Sequence, residues 1–212
     1  YKDAALAGIR YLLGVETNAP IPVEKIEAVK MGTTVATNAL LERKGEPTIL
    51  ITTKGFKDAL RIAYQNRPKI FDRNIILPEL LYTHVLEVEE RISATGSIIT
   101  PLDLTSINQD LKKLFLNGFR SCAIVLMHGY RYTSHEKQVA LLARDIGFPQ
   151  VSVSHEVSPL MKLIARGDTT VVDAYLSPIL RRYVNQVSSE LPNTRLLFMQ
   201  SSGGLTAAHQ FQ

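Results

Sequence analysis

Apolar runs of strand length alternate with helical segments along much of this chain. Residues 48–52 and 123–127 form such runs, and residues 104–116 place apolar side chains three and four positions apart, as a helix with one buried face requires. Gly118 follows that helical segment, at a position where glycine adopts the left-handed conformation that ends many helices. This alternation is typical of α/β proteins. We therefore predict a mixed to parallel sheet that is flanked by helices.

Two of the helices should begin at capping sequences. Thr100 is expected to cap the first of them, with a proline in its first position and Asp103 in its third. Thr133 and Glu136 have the spacing of a capping box, in which each side chain bonds the other residue's backbone N–H. This spacing predicts a second helix that runs to Ile146 and is ended by the glycine that follows.

The remaining elements are predicted from the same patterns. Two prolines, a basic cluster and the lack of a clear period indicate a loop over residues 65–81. A long helix near the C-terminal end is expected to be interrupted near Pro178. The other expected elements are helices over residues 2–13, 35–44, 56–63 and 169–191 and from Thr206, and strands over residues 26–31, 86–92, 151–154 and 196–199.

The composition is that of a soluble globular protein. Hydrophobic residues make up 45% and charged residues 21% of the 212 residues, and the formal net charge of +4 is spread along the chain. No basic run or aromatic-interleaved patch occurs, which argues against nucleic-acid binding. No apolar stretch approaches the roughly 20 residues of a membrane helix, and no signal peptide is visible, so we expect no membrane association.

Cys122 is the single cysteine of the chain, so it has no internal disulfide partner. It lies within an apolar run that is predicted to be a buried strand, where a free cysteine usually acts as a small core side chain. This use of cysteine fits a reducing compartment, and we expect a cytoplasmic protein.

The clearest candidate site is the Gly-Thr-Thr sequence at residues 32–34. It stands between a predicted strand and a predicted helix, where the first N–H groups of the helix lack partners and the helix dipole favours negative charge. The hydroxyls of Thr33 and Thr34 have two open roles, since they could cap the helix or bind a phosphate or carboxylate. The glycine patterns of a P-loop and of a dinucleotide-binding fold are both absent.

Ligands of open α/β sheets bind beyond the carboxyl ends of the strands, so polar residues at those ends are further candidates. His128 and His155 each follow a predicted strand, without the spacing of a histidine metal site. A neutral, hydrogen-bonded histidine and a general base are both open interpretations for each of them. Other polar residues follow strands at residues 53–54 and 200–204.

Three further groups have alternative interpretations. Residues 201–204 stand between a predicted strand and a predicted helix, which makes them a second candidate anion site. Arg166 and Asp173 near the long helix are expected to form an exposed or helix-capping ion pair rather than a catalytic pair. Arg67 and Lys69 in the predicted loop could bind a carboxylate or be solvated.

The sequence Met-Gly-Thr-Thr-Val-Ala-Thr-Asn-Ala-Leu-Leu-Glu-Arg-Lys-Gly at residues 31–45 closely resembles the signature of the 5-oxoprolinase/hydantoinase A family. Within the family, residues 67–72 and 154–157 look more like the 5-oxoprolinase branch. Ser202 stands where relatives usually carry Asp or Asn, which puts a specific charge or hydrogen bond at this position in doubt. The resemblance extends over residues 52–58, 65–72, 78–82, 87–91, 154–157, 173–178 and 200–205.

The resemblance implies a fold similar to the actin-like, ribonuclease H-like ATPases. It implies an enzyme that opens 5-oxo-L-proline to L-glutamate with ATP hydrolysis, and that requires Mg²⁺ and a monovalent cation such as K⁺. Residues 1–95 would form an N-terminal-type region with the Gly-Thr-Thr turn, and residues 96–212 the start of a hydantoinase A-type region. Two phosphate-binding segments of the family are expected before Tyr1 and after Gln212, so this piece alone should be inactive.

Two other functions stay open. A hydantoinase-type enzyme acting on a five-membered cyclic imide would share nearly all these segments, and a non-catalytic binding or assembly module would retain them without turnover. In each case we expect a small-molecule ligand and a homo-oligomeric parent protein. The candidate substrate- or phosphate-binding residues are Gly32, Thr33, Thr34, Thr37, Asn38, Arg67, His128, His155, Gln200, Ser201, Gly203 and Gly204.

Overall fold

The computed structural model describes residues 3–16, 19–65, 69–200 and 203–210. Short 3-10 helices lie at Val23–Lys25 and Ala208–Gln210. The helices are α1 (Ala4–Leu12), α2 (Val35–Leu41), α3 (Ala59–Ile62), α4 (Leu104–Leu116), α5 (Ser134–Ile146), α6 (Ser154–Val157) and α7 (Leu163–Glu190). The strands are β1 (Ala28–Met31), β2 (Thr48–Thr53), β3 (Tyr82–Val88), β4 (Arg91–Ile92), β5 (Ile98–Thr100), β6 (Ser121–Val125), β7 (Gln150–Val153), β8 (Arg195–Met199) and β9 (Leu205–Ala207).

The chain divides into two compact units. Unit 1 comprises Tyr1–Glu42 and Ile179–Gln212, and unit 2 comprises Arg43–Pro178. The second unit is therefore inserted into the first along the sequence. The predicted regions, residues 1–95 and 96–212, divide the chain at another point and remain a prediction about the sequence.

Unit 1 contains a sheet with the strand order β1-β8-β9. β1 and β8 are parallel, whereas β8 and β9 form an antiparallel hairpin. The core of this unit contains Leu6 from α1, Val187 from α7 and Phe198 from β8. Val29 and Met31 pack against this core, and Lys30 between them is exposed, as the period of two in a strand requires.

Unit 2 contains a fully parallel sheet with the strand order β3-β2-β6-β7. β2 is buried along its whole length. Ile49 and Ile51 of β2 pack in a core with α4 and α5, whereas Leu50 lies in a second core with α3 and α7. Alternate residues of the central strands thus face helices on both sides, as buried parallel sheets require. The predicted α/β class, with mixed to parallel sheets flanked by helices, is confirmed.

The capping prediction for α4 is wrong by three residues. Thr100 lies in β5, which pairs with β4 in a short antiparallel hairpin. Asp103 is the N-cap instead, and its carboxylate accepts a 2.9 Å hydrogen bond from the N–H of Thr105. The bounds of α4 and α5 agree with the prediction, and Gly118 and Gly147 have positive φ values of 96° and 108° after these helices.

Three other element predictions are corrected. α7 begins at Leu163 and continues through Pro178, because burial of side chains on both sides of the proline outweighs the lost hydrogen bond. The predicted strand over residues 86–92 is divided between β3 and β4. Residues 205–207 form β9 rather than the start of a helix. Within the described residues, no helix is both long and apolar enough to cross a membrane.

Candidate functional site

In unit 1, two candidate segments lie at the same edge of the sheet. β1 and β8 are parallel neighbours, with Met31 paired to Phe198, so their carboxyl ends coincide. The turn of residues 32–34 follows β1, and Gln200 follows β8. The structure therefore brings together the two segments that the sequence indicated as anion sites, although Ser201 and Ser202 lie outside the described residues.

The threonine hydroxyls of this turn bond their own neighbours. The hydroxyl of Thr33 accepts a 3.1 Å hydrogen bond from the N–H of Val35, at the start of α2. The hydroxyl of Thr34 accepts a 3.4 Å hydrogen bond from the side-chain amide of Asn38. Thr33 thus satisfies the first N–H of α2, whereas Thr34, the N-cap residue, makes no side-chain bond to the helix backbone. A Cβ atom on Gly32 would meet no atom within 4 Å, so the space beside this glycine is open.

The second candidate anion segment differs from the prediction. The N–H of Gln200 donates to the carbonyl of Gly204 at 2.8 Å, and Gly203 has a φ of 84°. These residues close the hairpin between β8 and β9, so no helix N-terminus follows them. The predicted contribution of a helix dipole is therefore wrong here, because the chain pairs back onto β8. A binding role for Gln200, Gly203 and Gly204 remains a prediction.

In unit 2, the carboxyl edge of the sheet contains a topological switch point. The chain leaves β2 toward β3 on one side and leaves β6 toward β7 on the other. Strands whose connections leave in opposite directions have a crevice between their carboxyl ends. Thr53 lies at the end of β2, Leu126, Met127 and His128 follow β6, and the N–H of Met127 donates to the hydroxyl of Thr53 across this edge at 2.9 Å.

His128 has an uncommon backbone conformation, with a φ of 60°. Its ring Nδ1 atom lies 2.8 Å from the carbonyl oxygen of Ile92. Because a carbonyl oxygen can only accept, Nδ1 carries the hydrogen, and the neutral ring then presents an acceptor at Nε2. The residue as a whole is partly exposed.

Glu136 is fully buried, which corrects the capping-box prediction. Its Oε1 atom accepts from the N–H of Leu126 at 2.9 Å and from the hydroxyl of Ser154 at 2.6 Å. Its Oε2 atom lies 2.6 Å from Nδ1 of His155. The carboxylate thus joins the ends of β6 and β7 rather than capping its own helix. A buried carboxylate is costly unless several donors satisfy it in this way.

Arg166 is also fully buried and does not form the predicted ion pair with Asp173. Its guanidinium donates to the carbonyl of Leu126 at 2.7 Å and to the hydroxyl of Ser154 at 2.9 Å. Burial lowers the pKa of this guanidinium, while the charge of Glu136 raises it. Asp173 instead accepts hydrogen bonds from the hydroxyls of Ser152 and Ser177.

His155 is hydrogen-bonded and nearly buried, and its side chain is 9% exposed. Its Nδ1 atom bonds the Glu136 carboxylate, which is the partner that sequence patterns did not identify. Its Nε2 atom is buried without a hydrogen-bond partner and lies 3.8 Å from the carboxylate of Glu156. Of the two ring nitrogens, only Nδ1 makes the hydrogen bond that was expected for a histidine at the end of a strand.

A second buried pair joins Glu90 and His135, whose Nδ1 atom lies 2.7 Å from the Glu90 carboxylate. The other carboxylate oxygen of Glu90 accepts from the hydroxyl of Thr53. That hydroxyl in turn accepts a 2.9 Å bond from the N–H of Met127. Sequence reasoning missed both pairs. The available signal was the His-Glu dipeptide at residues 135–136, whose carboxylate was assigned to a cap.

Among the described residues, no three His, Cys, Asp or Glu side chains are grouped closely enough to hold a metal ion. Arg67 lies outside the described residues, and Lys69 forms a 3.9 Å ion pair with Asp72.

Cys122 is fully buried as predicted, and burial raises the pKa of its thiol to about 12. It is therefore a core side chain rather than a nucleophile.

The family comparison covers most of the chain. Residues 1–147 match the hydantoinase/oxoprolinase N-terminal region, and residues 166–212 match the hydantoinase/oxoprolinase family. The chain belongs to the hydantoinase/oxoprolinase family. The predicted family resemblance is confirmed.

Individual relatives align over the whole chain. A 5-oxoprolinase from Dictyostelium discoideum is 37% identical over 246 residues, and 5-oxoprolinase 1 from Arabidopsis thaliana is 41% identical over 240 residues. Each alignment covers 100% of this chain and 19% of the relative. The chain thus spans about a fifth of the length of these curated relatives.

Solved structures agree with this assignment. The ATP-dependent caprolactamase from Pseudomonas jessenii is 29% identical with a TM-score of 0.78, and the match covers 96% of this chain and 30% of that one. The nucleotide-free acetone carboxylase has a TM-score of 0.74 at 19% identity, covering 98% of this chain and 32% of that one. The second likeness concerns the fold alone. Both neighbours support the predicted α/β fold.

Proposed function

We propose that this chain is part of an ATP-dependent enzyme that opens the lactam of 5-oxo-L-proline to L-glutamate. The observation that carries the proposal is the alignment of the whole chain with 5-oxoprolinases at 37% and 41% identity. The caprolactamase that shares the fold is also ATP-dependent and, by its name, acts on a lactam. We further propose a cytoplasmic, homo-oligomeric parent protein.

The coupling to ATP has a chemical reason. An unstrained lactam is a poor electrophile, and ATP supplies activation of the amide oxygen that allows water to open the ring. Such chemistry depends on positioning and on stabilisation of charge more than on a covalent nucleophile. Mg²⁺ and K⁺ belong to this proposal as well. Because the described residues form no metal-binding group, we assign neither ion nor the nucleotide to any of them.

The proposed contribution of unit 1 is the sheet edge at which residues 32–38, Gln200, Gly203 and Gly204 lie. The open space beside Gly32 and the exposed side chains of Thr34, Thr37 and Asn38 favour contact with an anionic or amide group there. The hydroxyls of Thr33 and Thr34 bond only neighbours within this turn and the start of α2. We propose that the turn lines the substrate or phosphate site of the parent protein.

A hydantoinase-type activity on a five-membered cyclic imide is the second candidate. The description of the family names hydantoinases and oxoprolinases together, and this favours testing both substrates. The two ring systems share the amide that would be opened, so activity has to be measured with each substrate.

The test is release of ADP by the full-length protein that contains this chain. It is measured with Mg²⁺–ATP alone, with 5-oxo-L-proline and with hydantoin, and glutamate is quantified. We expect stimulation by 5-oxoproline with formation of glutamate, and a large loss of activity in Thr34→Ala. Thr83→Ala, which changes an exposed threonine of β3, is the matched control and should leave the rate unchanged.

Stimulation by hydantoin alone would move the protein to the hydantoinase branch. A folded full-length protein that retains its phosphate-binding segments, but responds to neither compound, would contradict the proposed activity and favour a binding or assembly module. Unchanged turnover in Thr34→Ala would remove the Gly-Thr-Thr turn from the site without affecting the proposed reaction.

A further inference from the structure

In the part of the chain that the structure describes, the core of unit 1 brings α-helices to only one face of its sheet. Leu6 of α1 and Val187 of α7 pack in this core with Phe198 of β8, and Val29 of β1 packs against them. In unit 2, by contrast, helices pack against both faces of the parallel sheet. Parallel strands such as β1 and β8 occur almost only in sheets with both faces covered. The outer face of the unit 1 sheet, opposite this core, is therefore a surface that another layer is expected to cover.

The outer face of this sheet forms an open groove with a volume of about 770 Å³. Ala28 and Lys30 of β1 and Leu197 of β8 line it, because alternate residues of a strand point to the same face. Leu205 of β9 lines it as well and is paired with Met199, and these two side chains are 45% and 53% exposed. Contiguous exposed apolar side chains mark interaction surfaces.

Positive charge accompanies these apolar side chains. Lys25, Lys30 and Arg195 line the groove, together with the carboxylate of Glu27. Within the described residues, neither Lys30 nor Arg195 has a hydrogen bond or an ion pair. Charged groups across an interface are arranged with complementary sign, which fixes the register and excludes wrong partners. An occupant with acidic side chains would therefore match this groove.

The length of the relatives indicates where such an occupant comes from. This chain spans about a fifth of each curated 5-oxoprolinase that it matches, so about four-fifths of a protein of that length lies outside residues 1–212. In α/β proteins, helices are the elements that cover the faces of parallel strands. The apolar stripe of a helix would contact Leu197 and Leu205, and acidic residues beside the stripe would reach Lys30 and Arg195.

We propose that an amphipathic helix with acidic residues, from the part of the parent protein outside residues 1–212, packs in this groove. This assignment rests on the proposed function only in that the chain is part of a longer enzyme. It gives the groove a role in assembling the parent protein rather than in binding substrate. Lys30 and Arg195 are then the residues that select and orient the helix.

Carbodiimide crosslinking of the full-length protein identifies the element that lies in the groove. The reagent joins a lysine to a carboxylate that touches it, and mass spectrometry identifies the two residues. We expect Lys30 to be joined to an aspartate or glutamate outside residues 1–212, within a segment whose apolar residues have helical spacing. After subunit exchange with isotope-labelled protein, both residues of this link should still carry the same label.

Acetylation of the full-length protein measures how far Lys30 is covered. It should be at least about tenfold slower at Lys30 than at Lys137, an exposed lysine of α5, because the covering helix has to open first. Lys30→Glu combined with Arg195→Glu should lower the melting temperature by at least about 2 °C, and the matched control Lys137→Glu by less than about 1 °C. If the double variant does not fold, Lys30→Gln combined with Arg195→Gln should give a smaller shift in the same direction.

Acetylation of Lys30 as fast as that of Lys137 would overturn the inference, and so would links from Lys30 only to Glu27 or other residues of this chain. Links between differently labelled copies would also overturn it, because the groove would then be an interface between subunits. The proposed function is judged separately, from release of ADP stimulated by 5-oxoproline. A protein that is inactive but shows the expected link would contradict that function and leave the assignment of the groove in place.

Discussion

At the sheet edge of unit 1, the candidate site is built from exposed residues whose hydroxyls bond neighbours two to four positions away. At the sheet edge of unit 2, Glu136 and Arg166 are fully buried, and their bonds to Leu126 join residues 10 and 40 positions apart. Short-range bonds leave a turn free to change partners when a ligand binds. Long-range bonds between buried groups fix a loop before any ligand arrives. The two edges therefore illustrate an adaptable turn and a preorganised loop.

Removal of the buried arginine should have the largest effect on stability. In Arg166→Met, Glu136 becomes a buried carboxylate without its neighbouring positive charge, and the carbonyl of Leu126 loses a donor. We expect the free energy of unfolding, measured by urea denaturation, to fall by about 3–5 kcal/mol. Arg10→Met in unit 1 is the control, because the partner Glu190 is partly exposed, and it should cost about 0–1 kcal/mol. Equal losses would contradict the comparison.

The thiol of Cys122 reports on opening of unit 2. Its pKa of about 12, raised by burial from the ordinary value of 9.0, predicts a roughly thousandfold smaller thiolate fraction near pH 8. Alkylation at pH 8 should therefore be very slow and should accelerate in step with unfolding. A raised folded-state pKa contributes stability below the unfolded value, and this stability should be lost as the pH rises from about 9 to about 12. Rapid alkylation of the native protein would contradict this burial.

Replacing a glycine with alanine should lower the stability of the protein at the unit 2 edge and not at the unit 1 edge. A Cβ atom on Gly129 would overlap the Glu136 carboxylate, which its buried bonds hold in place. We expect Gly129→Ala to destabilise the protein by about 1–3 kcal/mol. Gly32→Ala meets open space and should change stability by less than about 0.5 kcal/mol. Thermal unfolding of the two variants measures the difference, and the reverse order would refute the preorganised loop.

The smallest effects are expected for the threonines of unit 1. Thr33→Ala removes the acceptor for the N–H of Val35 and should cost about 1 kcal/mol, the net contribution of one hydrogen bond. Thr34→Ala removes only an exposed side-chain bond and should cost less than about 0.5 kcal/mol. Unfolding curves of the pair test this order. A large destabilisation in Thr34→Ala would mean that its loss of activity reports on folding instead of on the site.

Sequence patterns predicted well those helices and strands that depend on neighbouring residues. The apolar run at residues 48–52 and the period of α4 identified buried elements, and glycines marked the helix ends. The errors arose where distant pairing decides. Thr100 belongs to β5, which pairs with β4 in a hairpin, and residues 205–207 pair with β8. A strand partner leaves no trace in the pattern of these short segments.

The parts of the candidate sites that are local in sequence were predictable, and the parts that depend on distant contacts were not. The Gly-Thr-Thr turn was recognisable because its residues are adjacent in sequence. The sequence around Glu136 fits a capping box, and only the fold brings Leu126, Ser154 and His155 to its carboxylate. The role of a residue such as Arg166 depends on long-range contacts that cannot be read from the sequence.

Amide hydrogen exchange on the full-length protein tests the central comparison most directly. The N–H groups of Leu126 and Met127 bond to the buried side chains of Glu136 and Thr53, whereas the N–H of Val35 bonds to the hydroxyl of its neighbour Thr33. We predict exchange at Leu126 and Met127 at least about a hundredfold slower than at Val35, because only larger opening breaks the buried bonds. Comparable rates at the two edges would contradict the account of an adaptable turn and a preorganised loop.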